Sequence, residues 1–259
     1  MFLSTPKGFN HFYDLYNKEA EDDEFKSFHY TTYDNPHIPT EKVEKAIIQM
    51  TDDRFAQEYM ADFRKTEGLV YKEFNREKHL FDDLHPLQEM KEVICGVDFG
   101  YTNPAAILKI GVDNDNNFWV LDEWYKTKQS TEEIINVVNI FGPNKVFADP
   151  AEPDRLDLMM NAGVNVMEVS KDIVAGIDVV REHFKQNRIR INKGCKHFIW
   201  ELETYKYPEK KPDKNAPEVP VKEADHLMDS LRYAIYCYEP PVNMENIDQN
   251  FNMYTTSYD

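Results

Sequence analysis

The apolar positions of this chain follow two regimes. Up to about Phe63 they recur at helical spacing; from Leu69 they gather into short runs that suit strands, with helical stretches between. In the first regime, Phe2-Leu3-Ser4-Thr5-Pro6-Lys7-Gly8 reads as a strand end and turn, and a helix follows from about His11 to Glu19. Pro36 breaks regular structure, Thr40 can cap a helix running to about Met50, and a second helix covers roughly Arg54 to Phe63 before Gly68. In the second regime, Leu69 to Phe74 is β-compatible and His79 to Glu92 reads as a connector. Three strands are predicted at Val93–Phe99, Ala105–Val112 and Phe118–Tyr125, and Asn114-Asp115-Asn116-Asn117 is a strong hairpin turn between the last two. They should form an antiparallel meander.

Strands and helices then alternate. A helix over Thr131–Phe141 starts at a Ser130/Thr131 cap and stops at Gly142-Pro143. A short buried strand (Lys145–Ala148), a helix (Asp154–Asn161), a strand (Val164–Val169), a helix (Ile173–Gln186), a strand (Arg188–Ile191) and a helix (Cys195–Tyr205) follow. A Pro/Lys-rich loop from Tyr207 leads to a last helix from about Lys222 to Cys237, which Pro240-Pro241 ends. The tail after Pro241 carries no Lys or Arg and little apolar periodicity, so it reads as disordered. A three-strand meander, a helix, alternating strands and helices and a terminal helix is the ribonuclease H-like order. The fold expected is therefore α/β: a mixed sheet of an antiparallel three-strand meander plus parallel strands, flanked by helices.

Bulk properties sharpen this only in places. The 259 residues are 41% hydrophobic with 9 Gly and 14 Pro, as a globular α/β protein requires. The net charge of −17 argues against a protein that coats nucleic acid. It leaves room for a DNA enzyme, because a carboxylate-rich metal site is itself acidic. Charge is also uneven: Lys171 to Lys214 holds 11 Lys/Arg against 7 Asp/Glu. A DNA-facing surface should draw on that segment, with Arg188, Arg190, Lys193, Lys196, Lys210, Lys211 and Lys214 as its candidates; a solvated mixed-charge face is the competing reading. Cys95, Cys195 and Cys237 form no disulfide or metal pattern and suit a reducing compartment. Neither a signal peptide in Met1–Asn10 nor an apolar run of about 20 residues occurs, so a soluble intracellular protein without a membrane partner is expected.

The chemistry concentrates in three acids at element ends. Asp98 closes the run Val93-Ile94-Cys95-Gly96-Val97, Asp149 closes Val146-Phe147-Ala148, and Asp229 lies on the last helix in Asp225-His226-Leu227-Met228-Asp229. Carboxylates brought together from strand ends and a facing helix repel, and divalent cations relieve that repulsion. This is the skeleton of a two-metal phosphodiester-cleaving site. Each acid also has a plainer reading. Asp98 can be a turn residue before Gly100, or belong to the phosphate loop of an actin-like ATPase; Asp149 can start an Asp-Pro turn. An acidic helix N-terminus accounts for Asp225 but less well for Asp229, a turn further in, and His226 is i,i+3 from Asp229.

Phe147-Ala148-Asp149-Pro150-Ala151-Glu152-Pro153, Trp200-Glu201-Leu202-Glu203-Thr204-Tyr205 and Asp225 through Tyr233 together resemble the nuclease domain of the large terminase subunit of tailed phages. Upstream, Ser4-Thr5-Pro6-Lys7-Gly8 resembles the coupling motif late in that family's ATPase domain. Thr31 to Pro36 resembles the stretch after it, and Gln57-Glu58-Tyr59 the approach to the nuclease. The resemblance implies residues 1–63 as the end of an ATPase domain with linker helices, 64–240 as the nuclease domain and 241–259 as a tail. It implies endonucleolytic cutting of double-stranded DNA during genome packaging. Two Mg²⁺ or Mn²⁺ ions would be bridged by Asp98, with Asp149 and Asp229 each holding one. His226 would assist the leaving group or support a ligand, Asp225 would orient His226 or add a ligand, and Glu152 and Glu203 are outer candidates with capping or ion pairing equally open. The implied partners are double-stranded DNA, the portal protein, the small terminase subunit and other copies of the large subunit, in the cytoplasm of an infected bacterium. The family's Gly-x-x-x-x-Gly-Lys-Ser/Thr loop is not found in these residues, so ATP turnover by this chain alone is not expected. The rival functions are a Holliday-junction resolvase of the same fold and a non-catalytic docking module of the packaging motor.

Overall fold

The computed structural model describes residues 2–6, 11–20, 22–63, 68–82, 90–208 and 219–238. Among these, seven strands form one sheet: β1 (Leu80–Phe81), β2 (Met90–Asp98), β3 (Ala105–Asp113), β4 (Phe118–Lys126), β5 (Lys145–Ala148), β6 (Val166–Met167) and β7 (Ile189–Asn192). Their order is β1-β7-β4-β3-β2-β5-β6. β2, β3 and β4 are the expected antiparallel meander, while β5 and β6 extend it in parallel on one side and β7 and β1 on the other. The β3–β4 turn is fastened by one side chain. Asp113 accepts from the backbone N–H groups of Asp115 and Asn117 and from Trp119 Nε1, and Asn116 takes a left-handed φ of 58° that asparagine tolerates.

Helices cover both faces because the central strands are apolar on both. On one face α5 (Thr131–Phe141) and α6 (Pro153–Asn161) pack Ile134, Val138 and Met159 against Cys95, Val97, Ala105 and Ile107. On the other, α7 (Ile173–Lys185), α8 (Lys196–Thr204) and α9 (His226–Tyr238) pack against Ile94, Ala106, Leu108 and Ile110. The period of two along β2 thus puts Ile94, Gly96 and Asp98 on the α9 side. At Gly96 an added Cβ would lie 1.9 Å from the Ser230 carbonyl oxygen, so α9 rests on β2 backbone to backbone.

The N-terminal part contributes α1 (His11–Asn17), α2 (Thr40–Gln49), α3 (Asp52–Glu58) and α4 (Arg76–His79). It is pinned to α7. Arg181, almost fully buried, donates to Glu73 at 2.6 Å and to Asp53 at 3.0 Å. Arg54 pairs with Glu182 at 2.6 Å, and Lys185 Nζ donates to the Met50 carbonyl at 2.7 Å.

Several boundaries differ from expectation. Leu69–Phe74 is a turn with a single bridge from Leu69 to Lys206, not a strand: Val70 and Tyr71 are consecutive and both buried, which an alternating strand would not require. The stretch taken as a connector contains β1, and β2 begins three residues before Val93. Pro39 rather than Thr40 precedes α2, and α3 ends at Glu58. The last helix starts at His226, because Ala224 takes a positive φ of 52° that a helix cannot continue through. Phe2–Pro6 forms no strand, and the tail from Pro241 lies outside the described residues. Among the described residues no helix is long and apolar enough to cross a membrane.

Candidate active site

The C-terminal ends of β2 and β5 are adjacent, and α9 crosses them. Val97 pairs with Ala148, and the Asp149 N–H continues that ladder by donating to the Val97 carbonyl at 3.0 Å, which sets Asp149 beside Asp98. Asp229 comes from the first turn of α9, next to the contact at Gly96. All three aspartates, with Asp225, His226, Lys171, Lys222 and Arg232, line one open cleft of about 620 Å³.

Each aspartate already has a protein cation or donor at hand. Asp98 Oδ2 accepts from His226 Nδ1 at 2.8 Å, Asp229 Oδ1 from Arg232 Nη2 at 2.7 Å, and Asp149 Oδ1 from the Ala151 N–H at 2.8 Å with Lys171 Nζ at 3.7 Å. Burial pushes the Asp98 carboxyl up to about 6; the charges of Asp229 and Asp149 add to this and the His226 hydrogen bond opposes it. His226 is held above its ordinary value, chiefly by its hydrogen bond to Asp98, against the effect of burial. Burial, then the Asp229 charge, raises Asp225. Five carboxylates, Glu223 among them, thus share one cleft, and their mutual repulsion contributes to the raised Asp98 and Asp225 carboxyls.

Three residues that sequence reasoning did not select belong to this surround. Glu201 on α8 is fully buried, and its Oε2 accepts from the N–H groups of Leu227 (2.7 Å) and Met228 (3.2 Å) at the start of α9. Its signal was present: a charged residue on the apolar stripe of Phe198, Leu202 and Tyr205. Arg232 is 2% exposed, and Gly176 makes room for it, since a Cβ there would lie 2.7 Å from Arg232 Cγ. Its i,i+3 spacing from Asp229 could have been read. Lys171 opens the basic segment, but nothing local distinguished it.

The remaining candidates are placed elsewhere. Glu203 pairs with Arg76 on the surface, and Glu152 is the residue preceding α6, 3.7 Å from Arg155. Arg190 pairs with Trp119, and Arg188, just before β7, accepts the Phe118 N–H at its carbonyl, both at the far end of β4, whereas Asp98 lies level with Tyr125 through Ala106. Six residues of strand separate these rows, roughly 20 Å. Lys193 pairs with Asp82 at 2.7 Å, and Lys196 is exposed at the start of α8. Lys210, Lys211 and Lys214 lie outside the described residues.

An all-carboxylate donor set suits hard divalent cations such as Mg²⁺ or Mn²⁺. The side chains are not arranged as a formed centre: among the described residues no three of His, Cys, Asp and Glu are gathered to hold an ion as they stand. The donor chemistry fits. The pairings to His226, Arg232 and Lys171 are the ones an arriving cation would compete with.

Comparison with known proteins gives the relationship. Residues 1–78 match the family model described as terminase large subunit, T4likevirus-type, N-terminal. The large terminase subunit of Escherichia phage T5 is 30% identical over 252 residues, covering 91% of this chain and 57% of that protein. The large terminase of a thermophilic bacteriophage superposes with a TM-score of 0.79 at 20% identity, covering 90% of this chain and 60% of that one. The P22 large terminase nuclease domain gives a TM-score of 0.55 at 19% identity over 66% of this chain and 92% of that one. At these identities the two structures speak for the fold alone, a terminase nuclease fold of the ribonuclease H-like type. Spanning 57% of the length of the T5 protein, the chain belongs to the large terminase subunit family.

Proposed function

We propose that this chain is a metal-dependent endonuclease that cuts double-stranded DNA during viral genome packaging. One arrangement carries the reading. Asp98, Asp149 and Asp229, from two neighbouring strand ends and a crossing helix, line a single open cleft and feel one another's charge. Asp98 would be shared by two divalent cations, with Asp149 and Asp229 each holding one. Bound there, the cations would supply charge neutralisation and an activated water for in-line displacement at phosphorus. His226, its Nδ1 on Asp98, keeps a proton beyond the usual histidine range and can hand one to the leaving 3′-oxygen. Lys171 and Lys222, on the rim of the cleft, are placed for DNA phosphates.

In this reading residues 1–63 are the end of the motor domain and its linker, and 64–240 form the nuclease. The partners are DNA, the portal, the small subunit and further copies of the large subunit, in the host cytoplasm. The test is supercoiled plasmid incubated with the purified chain and Mn²⁺ or Mg²⁺, against EDTA. Cation-dependent nicking is expected, abolished in Asp149→Asn and Asp229→Asn. Near wild-type cutting by either variant would refute the assignment.

A further inference from the structure

We propose that Glu201 is a positioning residue of the cutting site: from α8 it anchors the first turn of α9, so that His226 stays on Asp98 and Asp229 faces the cleft. This rests on the nuclease reading above.

A helix leaves its first backbone N–H groups without partners, and a side chain at its own N-cap ordinarily supplies them. Here the chain enters α9 through Ala224, at a positive φ of 52°, and both the Leu227 and Met228 N–H groups are taken by Glu201 Oε2, 26 residues upstream of Leu227. These two residues lie between His226 and Asp229, so one carboxylate fixes the backbone of the turn that carries both.

Stability alone does not call for this arrangement. Glu201 is 0% exposed, and a carboxylate buried in that way is costly. Burial pushes its carboxyl up to about 7, even with both N–H groups and the nearby Tyr125 hydroxyl holding it down. The residue preceding α9 is itself an aspartate, but Asp225 lines the cleft while Glu201 takes both donors. What Glu201 adds is a tie between α9 and α8, which is itself seated on β4 where Glu123 accepts from the His197 and Phe198 N–H groups. The turn is thereby referenced to the same sheet that carries Asp98.

Glu201→Gln and Glu201→Leu, made in the full 259-residue chain, separate anchoring from mere packing. Glutamine keeps an acceptor for both N–H groups; leucine keeps the volume and removes it. Amide hydrogen exchange in peptides spanning 224–232 should rise at least tenfold in Glu201→Leu, stay near wild type in Glu201→Gln, and be unaltered in α5. That readout does not depend on activity, and unchanged exchange in Glu201→Leu overturns the proposal whether or not the chain cuts DNA. In the plasmid assay, the maximal rate of Glu201→Leu should fall about 10- to 100-fold with half-saturating DNA within about twofold, and Glu201→Gln should recover most of the rate. Val138→Ala, on the opposite face, serves as a control of reduced Tm. If Glu201→Leu cuts no worse than Val138→Ala at equal distance below Tm, or if Glu201→Gln is as slow as leucine, the positioning role is wrong. Absence of cation-dependent cutting in the unaltered chain would instead count against the nuclease reading, with the exchange result still deciding the anchor.

Discussion

Two clusters of buried charge touch α7, and they are built on opposite terms. Around Arg181 the charges close on one another. Burial alone would raise the Asp53 carboxyl, but hydrogen bonds from Lys72 and Arg181 bring it down to about 2, and no buried atom of Arg181, Asp53 or Glu73 lacks a partner. Around Asp98 the balance fails. Burial wins and the carboxyl rises to about 6, and five carboxylates (Asp98, Asp149, Glu223, Asp225 and Asp229) line the cleft against three permanent cations, Lys171, Lys222 and Arg232. The first cluster is complete as it stands and joins the N-terminal segment to the sheet. The second is short of positive charge, which is the condition a cation site should show before a cation arrives.

The largest effect that could break this contrast is on cutting. Asp149→Asn and Asp229→Asn should each lower plasmid nicking by about 100-fold or more; Asp149→Asn should do so with no loss of Tm, whereas Asp229→Asn, which takes the charge partner from buried Arg232, should also lower Tm. Next comes Arg181→Met, which strands Glu73 in the interior. Urea unfolding should show a loss of about 3–5 kcal/mol, and a loss below about 1 would mean that this cluster is not holding the two parts together. Third, Mn²⁺ at about 100 times its Kd should stabilise the unaltered chain by about 2.7 kcal/mol and Asp98→Asn by far less. An equal shift in both would place the ion elsewhere.

The fourth effect is pH-dependent. Asp98 has a folded pKa of about 6 against an ordinary 3.8, so its contribution to stability is full below about pH 4 and is lost as pH rises through 6. In EDTA, Asp98→Asn should therefore be more stable than the unaltered chain by about 1–3 kcal/mol at pH 8, with the two converging near pH 4. Asp53 runs the other way: its contribution is present above about pH 4 and lost as pH falls towards 2. A flat difference between the variants across pH would remove the electrostatic part of the comparison. The smallest effect is Arg190→Ala, at the far end of the strands, which should change DNA cutting by less than about twofold, whereas Lys171→Ala should weaken DNA binding measurably.

How much of this was readable in advance depended on the range of the interaction. The meander, the bounds of α5 and the strand Lys145–Ala148 follow from local patterning, and the structure has them where the pattern put them. β1 was not visible because two residues carry no period, and Leu69–Phe74 misled because three successive apolar residues fit a strand and a buried turn alike. The three aspartates could be picked out by position at element ends. Their partners were readable only where they are local: Arg232 is i,i+3 from Asp229, and Glu201 falls on the apolar stripe of α8 while Glu203 faces the surface, but nothing local announces that His226 reaches Asp98 across 128 residues.

The contact between Gly96 and Ser230 has a mechanical consequence. Because main chain meets main chain there, with Ser230 Oγ also tied to the Ala106 carbonyl at 3.1 Å, no rotamer can act as a shim between strand and helix. The gap between the Asp98 and Asp229 carboxylates is gauged by a hydrogen atom standing where other residues have a methyl group. Gly96→Ala would wedge the helix outward and spread the jaws of the cleft while leaving every carboxylate in the sequence. The bite of this site is set by an atom it does not have.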